Sequence, residues 1–311
     1  MTQSTGQPID VPLPDGGVLR ALRWGGQGPL VVALHGITQS AMTFQAMAER
    51  LVGESGDAGA DSDATVVAVD LRGRGGSAGV PGPYGMAAHA RDVEAVLDHL
   101  GVGEATVVGH SMGAQVAVVF AARYPIRAVR LVLIDGGLPL SRPPEDQVDA
   151  TLEAVLGPAL ERLGRTFSSV EEYLQYWRAH PAFDGPGVWN RHVEACMRYD
   201  LEGSAPSLRP RASEQAVRAD GTDTLTNPAL DTALRDLACP VTLLRAPRGL
   251  LDQPEPLLSD EAVARARAAV GVFDDTVVED TNHYTILFGD HGAAAVADRV
   301  RALLASDRAS R

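Results

Sequence analysis

The sequence predicts an α/β protein in which one mostly parallel central sheet is flanked by helices and carries an inserted helical cap. Three observations lead to this fold class. Short apolar runs rich in β-branched residues alternate with helical runs through residue 137. The alternation stops in residues 138–235, which contain helical stretches and irregular polar sequence, and it resumes from residue 236. A core of residues 1–137 and 236–311 with an insertion at 138–235 fits this order better than two sequential domains.

The elements before the insertion follow a regular order. Strands are predicted in the runs GPLVVALHG (Gly28–Gly36), TVVAVD (65–70), ATVV (Ala105–Val108) and VRLVLIDGG (Val129–Gly137). Helices are predicted in TFQAMAERLV (Thr43–Val52), AHARDVEAVLDHLG (88–101) and the alanine-rich run Ala114–Arg123. The small, acidic segment Gly53–Ala64 is predicted to be a flexible loop. Because crossover helices connect parallel strands, these strands are predicted to share one sheet.

The later part of the chain contains the insertion and the return to the sheet. Helices are predicted in the insertion at VDATLEAVLGPALERLG (148–164) and VEEYLQYWRAH (170–180). The core then resumes with a strand at CPVTLLRAP (Cys239–Pro247), a helix at DEAVARARAAV (260–270), a strand at DTVVED (275–280) and a closing helix at GAAAVADRVRALLA (292–305).

Composition argues against several classes of function. The net charge is −13 and the chain contains no Lys, so we expect no nucleic-acid or membrane partner and no lysine Schiff base. The amino terminus has neither the basic start nor the apolar core of a secretory signal, and no apolar run has the length of a membrane span. The two cysteines, Cys196 and Cys239, form no CxxC motif, which argues against a disulfide framework and a zinc site. These features favour a cytoplasmic enzyme without a metal.

The segment GHSMG (Gly109–Gly113) lies between a predicted strand and a predicted helix. Gly-x-Ser-x-Gly in this context is typical of a nucleophile elbow, in which glycines permit a very tight turn and the serine is held in a strained conformation. The motif also arises by chance in a chain with 32 glycines, so the strand before it and the helix after it are the deciding observation. We predict that Ser111 is the nucleophile.

A serine hydroxyl needs a base, which an acid in turn orients. His283, in EDTNHYTILF, follows the last predicted strand in a loop and comes late in the chain, which matches the order Ser, acid, His. An isolated loop histidine is more often a surface group, but this position favours a catalytic base.

A tetrahedral intermediate also needs preorganised donors for its oxyanion. The segment LHGIT (Leu34–Thr38) follows the first long predicted strand. We predict that the backbone N–H groups of Ile37 and of Met112, the residue after the nucleophile, form the oxyanion hole.

In this order, LHGIT, VDLRGRGGS, GHSMG and TNHYT resemble the α/β-hydrolase fold superfamily over roughly residues 15–137 and 236–308. The insertion occupies the place of the superfamily's helical cap. The resemblance implies a Ser-His-acid hydrolase that uses no cofactor. A serine at the elbow distinguishes the chain from the haloalkane dehalogenases and epoxide hydrolases, which resemble it but have Asp there.

The resemblance leaves two candidates for the acid. Most members have it after the strand that follows the cap, where Asp252 is the acid in the loop after VTLLRAP. A minority have it after the strand that follows the elbow helix, which is the position of Asp135. An acid there often only caps the turn, yet a glycine-flanked strand end defines its position better than a flexible loop does. Both stay open, with a preference for Asp135.

The cap contains much of the aromatic content, and Tyr173, Tyr176 and Trp177 share one helix face. This face either packs the cap onto the core or forms an apolar pocket wall over the nucleophile. The pocket hypothesis names five residues in all: His35, Gly36, Tyr173, Trp177 and Trp189.

The predicted function is hydrolysis of a small or medium-sized carboxylic ester through an acyl-enzyme on Ser111, with a small-molecule substrate and an oligomeric state left open. Lactone, thioester, amide and carbon-carbon cleavage are alternatives. So are a perhydrolase or haloperoxidase-like activity and, from another class, a ligand receptor or sensor that keeps the fold.

Overall fold

The structure, a computed structural model, describes residues 6–53, 64–185 and 187–309. Its strands are β1 (Gln7–Pro12), β2 (Val18–Trp24), β3 (Leu30–Leu34), β4 (Thr65–Val69), β5 (Ala105–His110), β6 (Ala128–Ile134), β7 (Leu201–Glu202), β8 (Arg209–Pro210), β9 (Val241–Arg245) and β10 (Phe273–Val277). One eight-stranded sheet has the order β1-β2-β4-β3-β5-β6-β9-β10, and β7 pairs with β8 separately. Strands β3 to β6, β9 and β10 are parallel to their neighbours, whereas β2 runs antiparallel to both β1 and β4. The predicted mostly parallel sheet is confirmed.

Helices connect these strands. They are α1 (Gln45–Val52), α2 (Met86–His99), α3 (Met112–Arg123), α4 (Val148–Leu163), α5 (Val170–Arg178), α6 (Arg191–Tyr199), α7 (Glu214–Thr226), α8 (Ala229–Ala233), α9 (Asp260–Ala269), α10 (Thr285–Phe288) and α11 (Asp290–Ala309). Every helix predicted from the sequence is present, with ends displaced by a few residues. Within the described ranges, no helix is both long and apolar enough to cross a membrane.

Apolar layers cover both faces of the sheet. In β3, Val32 and Leu34 pack in one core cluster with α2 and α3, while Val31 and Ala33 pack in a second cluster with α1 and α11. Because both faces of the parallel strands are buried, these strands appear in the sequence as continuous apolar runs.

Two parts of the fold were not predicted. Strands β1 and β2 were missed because they are the antiparallel edge of the sheet, where prolines and charged residues interrupt the apolar pattern. In the insertion, the segment read as irregular polar sequence contains α6, α7, α8 and the β7–β8 pair. Residues 54–63 of the predicted acidic loop lie outside the described residues. The treatment of 138–235 as a separate cap domain stays a prediction.

The carboxyl ends of β3, β5, β6, β9 and β10 lie at the same edge of the sheet, because these strands are parallel. The loops that follow four of them contain, in chain order, His35, Ser111, Asp135 and His283. Open α/β sheets bind their ligands outside this edge, so the fold brings the predicted site residues to one place.

Candidate active site

Ser111 lies at the sharp turn between β5 and α3, with φ 55° and ψ −123°. This is a strained conformation for a residue with a side chain and costs about 1–3 kcal/mol. The flanking glycines are required by close packing: a Cβ on Gly109 would lie 2.4 Å from the carbonyl oxygen of Gly113, and one on Gly113 would lie 2.1 Å from that of Leu34. The backbone N–H of Ser111 donates to the carbonyl of Ile134 at 3.0 Å. The local geometry is that of an elbow.

His283 and Asp135 form a buried hydrogen-bonded pair. His283 Nδ1 lies 2.7 Å from Asp135 Oδ2, and the backbone N–H of Ala246 donates to the other carboxylate oxygen at 3.1 Å. Asp135 is completely buried and has a positive φ of 43° directly after β6. With Nδ1 engaged by the carboxylate, Nε2 is the ring nitrogen available as a base.

Asp252, the other candidate acid, has different partners. Its Oδ1 accepts hydrogen bonds from Arg248 Nε at 2.7 Å and from Asn282 Nδ2 at 2.9 Å. Asp252 therefore contacts the residue before His283, whereas Asp135 contacts the imidazole itself. The geometry favours Asp135 as the orienting acid, and the catalytic role of either residue stays a prediction.

His110 joins the elbow to the loop of His283. Its Nε2 lies 2.9 Å from the backbone carbonyl oxygen of His283, and the two rings have centroids 4.7 Å apart. Burial lowers the pKa of His110 well below its usual value, so the ring is neutral and Nε2–H is the donor. Because His110 precedes Ser111 directly, this bond holds the serine turn and the histidine loop side by side.

The loop after β3 is held from beneath by His35. His35 Nε2 accepts a hydrogen bond from the backbone N–H of Leu71 at 3.0 Å, so Nδ1 carries the proton and donates to the carbonyl of Gly36 at 2.8 Å. That carbonyl belongs to the same peptide as the Ile37 N–H. A Cβ on Gly36 would lie 3.2 Å from Ser111 Cβ. The peptide that contains the predicted oxyanion donor therefore lies against the serine.

The structure corrects the pocket positions of His35 and Tyr173. Both are fully buried, and their polar atoms bond to the protein: His35 as above, and Tyr173 through its hydroxyl to Asp200. Buried Gly36 contributes backbone beside Ser111 rather than a side-chain wall. These three residues support the site from within the protein, because their side chains or backbone are engaged by core atoms.

Trp177 lies closest to the site among the predicted pocket aromatics. Its ring centroid is 6.4 Å from that of Tyr284, which in turn is 5.6 Å from that of His283. Trp177 also lines a narrow cavity of about 10 Å³ with Thr38 and Ser40 of the oxyanion loop, which has room for about one water molecule. Trp189 is half-buried and packs on Phe183, at 6.0 Å between centroids.

The sequence gave no sign of a buried polar cluster in the insertion. Arg162 Nη1 donates to Asp200 Oδ2 at 2.7 Å and to the Tyr173 hydroxyl at 2.5 Å, and the guanidinium lies 5.0 Å from the Trp177 ring centroid. Arg162 Nη2 is buried and has no hydrogen-bond partner within the described part of the chain. These residues come from separate segments, so no local motif marks the cluster.

The two buried histidines predict how stability depends on pH. Burial lowers the pKa of His35 to about 3 and lowers that of His110 as well. Since the unfolded chain takes up these protons at about pH 6.5, stability is complete above that pH and falls as the pH drops from about 6.5 towards about 3. We expect the midpoint of urea unfolding to decrease between about pH 7 and about pH 5.

The matched variants for that experiment are His35→Asn and His99→Ala. His99 is exposed on α2, so its removal should leave the pH dependence unchanged, while loss of His35 should make it shallower. A wild-type midpoint that stays constant over this range would contradict the neutral, buried state of the two histidines.

Comparison with known proteins was made for sequence and for structure. The family model described as alpha/beta hydrolase fold matches residues 29–181, a range that includes Ser111 and Asp135. A 2-(acetamidomethylene)succinate hydrolase of Mesorhizobium japonicum is 28% identical over 264 residues, covering 85% of this chain and 84% of that protein. An N-formylmaleamate deformylase of Pseudomonas putida is 40% identical over 115 residues, covering 37% of this chain and 40% of that protein. The chain spans 33% of the length of uncharacterised proteins of Mycobacterium tuberculosis and Mycobacterium bovis that are 34% identical over 121 residues.

Two solved structures have the same fold. A crystal structure of an E-2-(acetamidomethylene)succinate hydrolase has a TM-score of 0.75 and 24% identity, covering 95% of this chain and 99% of that chain. A hypothetical protein from Pseudomonas aeruginosa has a TM-score of 0.73 and 26% identity, covering 96% and 98%. Similarity to the first structure demonstrates the fold alone.

Proposed function

Because the chain is a member of the α/β-hydrolase fold superfamily, we propose that it is a serine hydrolase that cleaves a small or medium-sized carboxylic ester without a cofactor. The observation that carries the proposal is the 2.7 Å bond between Asp135 and His283, held beside the Ser111 elbow by His110. The relatives named esterase and lipase in Mycobacterium tuberculosis support hydrolysis of an ester.

The proposed reaction follows from the positions of these groups. His283 Nε2 accepts the Ser111 hydroxyl proton as the oxygen attacks the ester carbonyl, and Asp135 stabilises the imidazolium that forms. The N–H groups of Ile37 and Met112 bind the oxyanion, and the amino end of α3 adds its dipole. The imidazolium then protonates the departing alcohol. Water, deprotonated by His283, releases the acid from the acyl-enzyme.

Purified protein tests the proposal with a panel of p-nitrophenyl esters from acetate to octanoate. We expect saturable turnover of at least one ester and stoichiometric labelling by a fluorophosphonate. Neither turnover nor labelling would favour the receptor or sensor alternative. Peracid formation that requires both acetate and hydrogen peroxide would favour the perhydrolase alternative, and the panel extends to lactones and thioesters.

A second candidate is hydrolysis of an amide or ester that carries a carboxylate. Two relatives are named for a succinate and a maleamate substrate. In this chain, the buried Arg162 Nη2 beside Trp177 has no partner among the described atoms, and an unpaired buried guanidinium N–H favours an anionic acceptor. Comparing kcat/KM for a neutral ester and for its carboxylate-bearing counterpart distinguishes the two candidates.

Trp177→Ala should change the preference for acyl chain length. The ring lies two rings from His283 and closes the narrow cavity beside the oxyanion loop, and each Å² of lost apolar contact weakens burial by about 25 cal/mol. We expect a shift towards longer acyl chains in the ester panel, measured as relative kcat/KM. Trp189→Ala is the control farther out in the insertion. Unchanged preference together with a lower unfolding temperature would show that Trp177 only packs the insertion.

A further inference from the structure

A single guanidinium links the predicted oxyanion loop to the insertion. Arg74, in the loop after β4, is completely buried. Its Nε donates to the backbone carbonyl of Ile37 at 2.9 Å, and its Nη1 donates to the carboxylate of Asp220 on α7. Arg74 occupies an open position of the family pattern DxRGxGxS, within DLRGRGGS, so the pattern itself does not require an arginine there.

Asp220 is prepared to remain ionised although it is buried. Its carboxylate also accepts a hydrogen bond from the backbone N–H of Gly85 at 2.5 Å and lies 2.9 Å from His89 Nε2. Burial alone would raise the pKa of Asp220, but His89, Arg74 and the Gly85 N–H together hold it down to about 2. The negative charge opposite Arg74 is therefore present over the whole pH range in which the protein would act.

Side-chain packing brings the insertion to Ile37 a second time. Ile37 packs on an apolar cluster formed by Leu152 and Leu156 of α4 and Val217 of α7. Gly221, next to Asp220, allows this close approach, since a Cβ there would lie 2.5 Å from Leu152 Cδ1 and 3.5 Å from Ile37 Cδ1. The insertion therefore reaches Ile37 through its side chain and, by way of Arg74, through its backbone.

The two peptides on either side of Ile37 are thus both held. His35 binds the Gly36 carbonyl, which fixes the plane of the peptide that contains the Ile37 N–H. Arg74 binds the Ile37 carbonyl and fixes the next plane. With both planes fixed, the N–H has one direction, and an oxyanion hole depends on donors that are oriented before reaction.

We propose that Asp220 and Arg74 are positioning residues for the oxyanion hole, so that docking of the insertion on the core is what orients the Ile37 N–H. The inference rests on the proposed serine hydrolase function and adds to it a dependence of the chemical step on the insertion. Neither residue touches the substrate, and both act through the Ile37 backbone.

Arg74→Met tests this link by its effect on the chemical step. Loss of a whole oxyanion donor typically lowers kcat by about 10²–10³-fold, so a misdirected donor should lower it by about 10–100-fold. KM should stay within about threefold, because the ground-state ester does not use the donor fully. Affinity for a trifluoromethyl ketone, whose adduct with Ser111 bears an oxyanion, should fall by the same factor as kcat/KM. A purely structural role would not produce that parallel loss.

Three further variants complete the experiment. Asp220→Asn should lower kcat in the same way, and the double variant should be no slower than the slower single variant, because both act along one path. Arg74→Lys keeps the positive charge beside Asp220 but cannot bond both partners as the guanidinium does, so it should also be slow even where Arg74→Met folds poorly. Arg72→Met is the control: Arg72 lies in the same loop and forms a buried pair with Asp92 of α2, and its side chain makes no listed-range bond to Ile37 within the described atoms.

Folded Arg74 and Asp220 variants with wild-type kcat, or with equal losses in the Arg72 control, would overturn the inference and leave the proposed function intact. Wild-type protein that neither hydrolyses esters nor reacts with a fluorophosphonate would overturn both. Retained turnover with reduced ketone affinity and reduced kcat in the Arg74 and Asp220 variants alone is the expected result.

Discussion

Replacing Ser111 by Ala should lower kcat for ester hydrolysis by about 10⁶-fold while the protein remains folded. The loss is this large because the hydroxyl forms the covalent bond to the acyl group, and the remaining oxyanion donors stabilise only the much slower attack of water. The elbow already holds a residue with a Cβ at φ 55°, so Ala adds no backbone strain. Initial rates on the best p-nitrophenyl ester, with circular dichroism to check folding, measure the effect.

His283→Ala should be nearly as damaging as Ser111→Ala, since the members of a triad act as a unit. Ser141→Ala and His99→Ala are the controls, because both residues are exposed, and they should retain wild-type rates. Near wild-type turnover by either Ser111→Ala or His283→Ala would remove that residue from the mechanism.

Asp135→Asn should lower kcat by about 10⁴-fold, because an amide at this position cannot stabilise the imidazolium and favours the wrong tautomer of His283. Asp252→Asn should change kcat by no more than a few-fold, because Asp252 bonds Arg248 and Asn282 and not the imidazole. The two variants are compared on one ester, with KM measured for each.

The reverse order of effects would show that Asp252 orients His283 in the working enzyme. That outcome would contradict the role assigned to the Asp135–His283 bond and would agree with the position of the acid in most of the superfamily. Equal, small losses would remove both carboxylates from the mechanism.

The parts of the site that local sequence specifies were predictable. The elbow at Ser111 depends on a strand, two glycines and a helix within a few residues, and the structure has each of them. The order of strands and helices in the core was predictable for the same reason, because buried parallel strands appear as apolar runs. Strands β1 and β2 were not, since an antiparallel edge strand buries little and tolerates Pro and Arg.

The choice between Asp135 and Asp252 depends on the tertiary fold. Both follow strands at the same sheet edge and both have positive φ values, so their sequence surroundings do not separate them. The same limit applies to Arg74 and Asp220, which are 146 positions apart in the chain and meet only when α7 packs on the core. Pocket positions for His35 and Tyr173 were wrong because their polar atoms bond inside the protein.

The central claim is that Ser111 becomes covalently acylated. Reaction of the wild-type protein with a fluorophosphonate, followed by peptide mass spectrometry, tests it most directly, with Ser111→Ala treated in parallel. The account predicts one label per chain, on the peptide that contains Ser111, and loss of ester hydrolysis in proportion to labelling. A label on a different residue, or full ester hydrolysis by protein that is labelled at Ser111, would contradict it.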